Sequence, residues 1–491
     1  MSDEPAATAT IRTKVPARLD RLPWSQFHRR VLVGLGTVWI LDGLEVTMVG
    51  SVASRLTEKG SGLGLTAGQV GVAAAVYIVG SCLGALVFGQ LTDRFGRKKL
   101  FLITLGLYLL ATVATAFSFS AWYFYLVRFF TGAGIGGEYA AINSAIDELI
   151  PARVRGRVDL VINGTYWLGA AAGSGLVVFL LSSIFPVDLG WRLAFGIGAV
   201  LALLILVVRR HVPESPRWLF IHGRKDEAER IVDDIEHDVA EHSGQPLSVP
   251  EQEIAIRQRR SISFIEIART AVTLYPKRTV LGLALFVGQA FIYNGITFNL
   301  GTLFSGFFGT SSDVVPVFLV IYAVGNLLGP LLLGRLFDTI GRKPMISIAY
   351  FGSALLTLPL AAVFYFQWGG EPAFVAALSL TFFLASSGAS AAYLTVSEIF
   401  PMETRALAIA FFYAIGTGLG GIVGPLLFGS LIDTGERGPV AIGFLISAGV
   451  MALGGLAEVT LGVRAEQTAL EDIAKPLTAA DAVPSDERAR S

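Results

Sequence analysis

Charge is scarce in this sequence. Charged residues make up 15% of the 491, against 53% hydrophobic, and the mean hydropathy is +0.63. A soluble domain carries roughly a quarter charged residues, so this chain cannot cover an apolar core with water-facing side chains. It reads instead as many membrane-spanning segments. Lys+Arg and Asp+Glu are equal at 38 each, which leaves no net positive footprint for a nucleic-acid partner. The single cysteine, Cys82, lies in an apolar stretch and excludes an internal disulfide. The five histidines, His28, His211 and His222 among them, show no metal-ligand spacing. No phosphate-cradling loop of the Gly-x-x-x-x-Gly-Lys-Ser/Thr type occurs, so no ATP motor is expected. Neither an enzyme, a resident cofactor nor a metal site is indicated.

Long apolar runs are abundant. About twelve have spanning length, centred near Asp42, Val79, Gly106, Gly134, Ala172 and Leu201, then Ala290, Gly325, Leu355, Leu384, Gly421 and Ser447. The expected layout is a polar tail (1–30), a six-helix bundle (31–210), a polar helical linker (211–277), a second six-helix bundle (278–463) and a charged, mobile tail (464–491). The first thirty residues do not have the pattern of a cleaved leader. Basic residues gather in alternate loops: Arg94, Arg97, Lys98 and Lys99, then Arg153, Arg155 and Arg157, then Arg342 and Lys343, then Arg405. The opposite loops hold few, chiefly Arg55, Lys59 and Arg437. The positive-inside rule then puts both termini and the linker in the cytoplasm.

The chain repeats itself. Gly89-Gln90-Leu91-Thr92-Asp93-Arg94-Phe95-Gly96-Arg97-Lys98 is echoed by Gly334-Arg335-Leu336-Phe337-Asp338-Thr339-Ile340-Gly341-Arg342-Lys343, and Glu148-Leu149-Ile150-Pro151 by Glu398-Ile399-Phe400-Pro401. Parallel halves offset by about 250 residues are a transporter architecture.

At these residues the chain resembles the major facilitator superfamily over nearly its whole length. Pro213-Glu214-Ser215-Pro216-Arg217-Trp218 is similar to a signature of sugar porters and organic-ion transporters, as is Arg128 leading into Gly132, Gly134 and Gly136. Asp42-Gly43-Leu44-Glu45 resembles the acidic pair of aromatic-acid and phosphate proton symporters. Gly136-Gly137-Glu138-Tyr139 resembles phosphate and nicotinate-type porters. The resemblance implies an all-helical membrane protein of twelve spans in two pseudo-symmetric bundles. It also implies transport by alternating access in an inner or plasma membrane.

Asp42 and Glu45, three residues apart, share a helix face in mid-span. A charge there costs at least about 2.5–3.5 kcal/mol, so the pair needs a partner, a cavity or a proton. Arg128 is the natural partner. The resemblance implies that Glu45 gives up its proton toward Arg128 and that protonated Glu45 frees the arginine for reorientation. Glu138, about 15 Å along the helix from Arg128, is too far to share that pair. It is open to three roles: a second proton site, a contact for a cationic or hydroxylated solute, or a bond between helices.

The resemblance also suggests substrate contacts at Asn163, Gln289, Asn294 and Tyr393, where sugar porters carry Gln, Gln, Asn and Trp; the first Gln of their span-7 pair is Gly288 here. These departures weaken a hexose reading. Trp167 and Tyr293, with Phe298 and Tyr413, are further aromatic candidates for a wall around a polar organic solute. Two charge clusters are expected to latch the cytoplasmic side: Asp93, Arg97, Glu148, Arg155, Glu214 and Arg217 in one, and Asp338, Arg342, Glu398 and Arg405 in the other. The expected function is proton-coupled symport of a small polar organic solute, an organic acid slightly ahead of a sugar, by a monomer in the bilayer. An exporter of the same fold, a facilitative carrier and a non-transporting sensor are the alternatives.

Overall fold

The computed structural model describes residues 10–95, 97–203, 216–221, 223–243, 247, 253–257, 264–401 and 405–474. Its helices in chain order are α1 (Val15–Asp20), α2 (Gln26–Thr57), α3 (Ala67–Phe95), α4 (Arg97–Ala116), α5 (Ala121–Leu149), α6 (Arg155–Leu180), α7 (Gly190–Ala202), α8 (Pro216–Ile221), α9 (Lys225–Ser243) and α10 (Phe264–Leu274). There follow α11 (Pro276–Thr297), α12 (Leu300–Phe308), α13 (Val315–Thr339), α14 (Arg342–Phe366), α15 (Gly370–Ile399), α16 (Arg405–Phe412), α17 (Gly418–Asp433), α18 (Arg437–Leu461) and α19 (Leu470–Ile473). A helix runs through each of the twelve apolar centres. Among the described residues, eight helices are long and apolar enough to cross a membrane. The first bundle comprises α2 to α7. The second comprises α11 to α18, with α11 and α12 nearly continuous and α16 and α17 joined by a π-helical turn at Tyr413–Thr417.

Small residues set how closely these helices pack. A Cβ on Gly43 would collide with the backbone carbonyl of Tyr166 on α6, and one on Gly136 with that of Ser81 on α3. Lipid is as apolar as the helices, so close backbone contact replaces the hydrophobic drive of water. The same device joins the two bundles, where Gly50 of α2 lies against Thr297 and Gly301, and Gly71 of α3 against Pro425. The outer faces are apolar: Leu110 and Leu355 are 74% and 66% exposed. Acids and arginines lie inside. This inversion suits lipid outside and a polar passage within.

The segment before α2, expected to be a tail, is docked. β1 (Thr10–Thr13) pairs antiparallel with β2 (Ile254–Arg257) of the linker, Thr10 opposite Arg257. Val15, Leu19 and Leu22 pack on Val232, Ile235 and Val239 of α9. Arg18 reaches Glu229 at 2.6 Å, Asp233 at 2.5 Å and Glu236 at 2.6 Å, and Arg21 also bonds Glu236. Composition marks a polar tail, and a few apolar residues at helical spacing attach it to the linker. The start of the second tail is placed too. Gln467 donates to the Asp338 carbonyl at 2.8 Å, and Arg278 donates to the Ile473 carbonyl at 2.9 Å.

Burial raises the Glu236 carboxyl, but the hydrogen bonds and charges of Arg18 and Arg21 outweigh it and hold the group below the usual glutamate range. A lowered folded-state value stabilises docking above the unfolded pKa, and that contribution is lost as pH falls through the folded one. The N-terminal segment is therefore expected to resist limited proteolysis at neutral pH and to become cleavable in acid. Arg18→Glu should produce the same cleavage at neutral pH. Equal protection of both proteins at both pH values would contradict the ionic docking.

Candidate functional site

Three buried acids and one arginine lie inside the first bundle. Arg128 Nη1 donates to Glu45 Oε1 at 2.9 Å, with the side chains 1% and 0% exposed. The Thr112 hydroxyl donates to the same oxygen at 3.4 Å. The Arg128 guanidinium also sits 4.7 Å from the centre of the Tyr77 ring, a cation–π contact. Packing against the helices on either side closes this pair off from water. Breaking such a pair by removing one partner costs about 3–5 kcal/mol, because it strands a buried charge.

Asp42 is fully buried, and neither of its carboxylate oxygens has a hydrogen-bond partner. It lies within electrostatic reach of Glu138 and Glu45, and of the Tyr139, Tyr166 and Tyr413 phenols. Glu138, too far from Arg128 along its own helix, thus has Asp42 as its acidic neighbour. Pairwise interactions thus connect Arg128 to Glu45, Glu45 to Asp42 and Asp42 to Glu138.

Beside these residues is a cavity of about 140 Å³ between the bundles. Asn163, Trp167, Gln289, Tyr293, Asn294 and Tyr393 all lie on its wall, as do Phe298 and Tyr413. The π-helical turn carries Tyr413 and Thr417 to that wall. Sequence reasoning missed Trp39, Tyr77, Tyr139 and Tyr166, which complete the wall from the first bundle. A signal existed for Trp39, which precedes Asp42 by one helical turn, while Val46 follows by another; both line the cavity. Trp39 stacks on Tyr139 at 4.8 Å, and Tyr139 meets Tyr413 edge-on at 5.3 Å. Tyr77 joins the two sites, since it lines the cavity and lies under Arg128.

At the end of the bundles nearest the linker, charges cross from one bundle to the other. The Asp338 carboxylate of α13 accepts from the backbone N–H groups of Gly156 at 3.2 Å and Arg157 at 2.8 Å, at the start of α6. An anion at a helix N-terminus meets free donors and the positive end of the helix dipole. Arg342 bonds Asp338 at 2.8 Å and clasps Glu398 with two bonds, at 3.0 and 2.9 Å. Arg155 of the first bundle lies 4.0 Å from Glu398 and 3.3 Å from Asp20 at the end of α1. The expected division into one cluster per bundle is therefore not what these four residues form, because Arg155 belongs with Glu398. Glu214 and the side chains of Asp93, Arg97, Glu148, Arg217 and Arg405 lie outside the described residues. At the opposite end, the backbone N–H of Gly68 on α3 donates to Asp433 of α17 at 2.8 Å. Both ends of the cavity are thus bridged.

Comparison with known proteins places this architecture. A family model described as "Sugar (and other) transporter" matches residues 45–474. The niacin transporter of Acinetobacter baylyi is 30% identical, over 84% of this chain and 89% of that protein. The 4-hydroxybenzoate transporter of Pseudomonas aeruginosa is 26% identical, over 88% of this chain and 92% of that one. Among solved structures, the proton:xylose symporter XylE bound to 6-bromo-6-deoxy-D-glucose superposes with a TM-score of 0.72 at 22% identity, covering 91% of this chain and 98% of that one. The inward-open form of XylE from Escherichia coli gives 0.62 at 22% identity, covering 90% and 98%. The chain belongs to the sugar (and other) transporter family and is a multi-pass membrane carrier of the major facilitator fold, not an enzyme.

Proposed function

We propose that this carrier takes up a small polar organic solute together with a proton, by alternating access across an inner or plasma membrane. The observation that carries the reading is the Glu45–Arg128 pair, sealed from water and joined to the cavity through Tyr77. A proton arriving on Glu45 removes the charge that holds Arg128. The guanidinium is then left with the Tyr77 face, and the packing of α5 against α2 loosens. Solute on the wall side of Tyr77 and proton on the arginine side thus act on one ring. Coupling is as strong as the difference in interaction between the two states. Asp42 and Glu138 extend the proton path inward. The proton is the only coupling ion required, and no resident cofactor enters the cycle.

The basic loops orient the linker and both termini toward the cytoplasm. In that orientation the Asp338–Arg342–Glu398–Arg155 network is the cytoplasmic latch. A monomer suffices, since the cavity draws its wall from the two bundles of one chain, and no nucleic acid takes part. Two relatives, the niacin and 4-hydroxybenzoate transporters, favour a small ring-bearing metabolite over a hexose.

Proteoliposomes loaded with a pH dye test the coupling. A panel of organic acids, sugars, amines and phosphate is expected to contain a solute that acidifies wild-type vesicles and leaves Glu45→Gln vesicles unchanged. Equal solute entry into both without proton movement would contradict symport. The latch makes a second prediction. Glu398→Ala removes the carboxylate shared by Arg342 and Arg155, costs on the order of 3 kcal/mol, and favours opening at the linker end. With Cys82→Ser as background, a cysteine replacing Ser390 on the cavity wall should then react with a linker-side maleimide about tenfold faster or more. An unchanged rate would remove Glu398 from the gate.

A further inference from the structure

We propose that the transported solute is an organic cation, held with its positive nitrogen against the aromatic wall of the central cavity beside Asp42. The inference rests on the transport reading above and narrows its substrate.

Three observations converge. First, the wall is rich in rings. Nine of the twenty described lining residues are aromatic, and none carries a charge. Trp39, Tyr139, Tyr393 and Tyr413 lie at ring separations of 4.8 to 6.4 Å and come from both bundles. A desolvated cation over such faces gains more than a neutral group of the same shape. Second, the group behind the wall is a carboxyl. Asp42 is fully buried without a hydrogen-bond partner, and it acts electrostatically on the Tyr139, Tyr166 and Tyr413 phenols of that wall. It shares a helix stripe with Trp39 and Val46, which line the cavity. A buried carboxylate with no partner requires a proton or a cation. Third, none of the described lining residues offers a positive group to an anion. Arg128 does not line the cavity and is already paired with Glu45. An organic acid would enter without a counter-charge and would face Asp42 and Glu138. Amides such as Asn163 and Gln289 suit a polar substituent on an aromatic cation.

The test uses three probes of one shape with different charge: benzyltrimethylammonium, benzyl alcohol and benzoate. Binding to the purified full-length protein in lipid nanodiscs is read from quenching of tryptophan fluorescence. The cation is expected to bind about tenfold tighter than benzyl alcohol, and benzoate more weakly than either. Asp42→Asn should erase the advantage of the cation while leaving benzyl alcohol binding in place, which also certifies the fold. Trp39→Leu should weaken the cation more than it weakens benzyl alcohol. Tighter binding of benzoate, no cation binding at millimolar concentration, or an Asp42→Asn protein with an unchanged cation preference would each overturn the proposal. The two readings fail separately. Cation binding with no proton movement would remove the coupling and leave this inference standing. Proton movement driven by an anion or a sugar would do the reverse.

Discussion

Glu45 and Arg128 face each other at 2.9 Å, both buried, and much of the first bundle is arranged around that fact. An isolated charge at this depth is far costlier than a paired one. The helices carrying the two residues must therefore stay in register. Gly43 keeps α2 against α6, and Gly136 keeps α5 against α3, so small residues hold the geometry that the charges require. The pair is also the least symmetric feature of a two-fold repeat. Among the described residues, the second bundle has the same loop motif but no acid–arginine pair in the middle of its apolar spans; its buried Glu458 lies near the end of α18. This bundle instead contributes polar and aromatic wall, notably Gln289, Tyr293, Asn294 and Tyr393.

The ionic network proposed as a latch uses the same physics at a different depth. Asp338, Arg342, Glu398 and Arg155 are nearly inaccessible as well, yet they lie where the bundles meet and where one set of partners can be exchanged for another. A buried network that spans a moving interface is suited to holding one state firmly and releasing it as a unit. The link from Arg155 to Asp20 carries this network to α1, and from there to α9 through Arg18 and Arg21. The linker and the segment before α2 are thus connected by ion pairs to the proposed gate.

Much of this was legible in the sequence, for reasons of cost. Acids in the middle of an apolar span cannot be idle, so Asp42, Glu45 and the partner Arg128 were recognisable without coordinates. The repeat at Asp93 and Asp338 announced two halves. What the sequence concealed was adjacency. Helical spacing tells which residues share a face but not which helix that face meets, so Tyr139 and Tyr166 were invisible as wall residues. The crossing of Arg155 to Glu398 between the bundles was hidden for the same reason. Docking of Val15 and Leu19 on α9 was lost in a segment whose composition is polar overall. The π-helical turn at Tyr413 is a local departure that no periodicity announces.

The account depends on Glu45 changing its protonation when solute binds. Infrared difference spectroscopy of the purified carrier, with and without its solute, reads this directly. The account predicts a solute-dependent band of a protonated carboxyl that disappears in Glu45→Gln. A band that persists in Glu45→Gln, or no carboxyl band in a protein that binds solute, would contradict it.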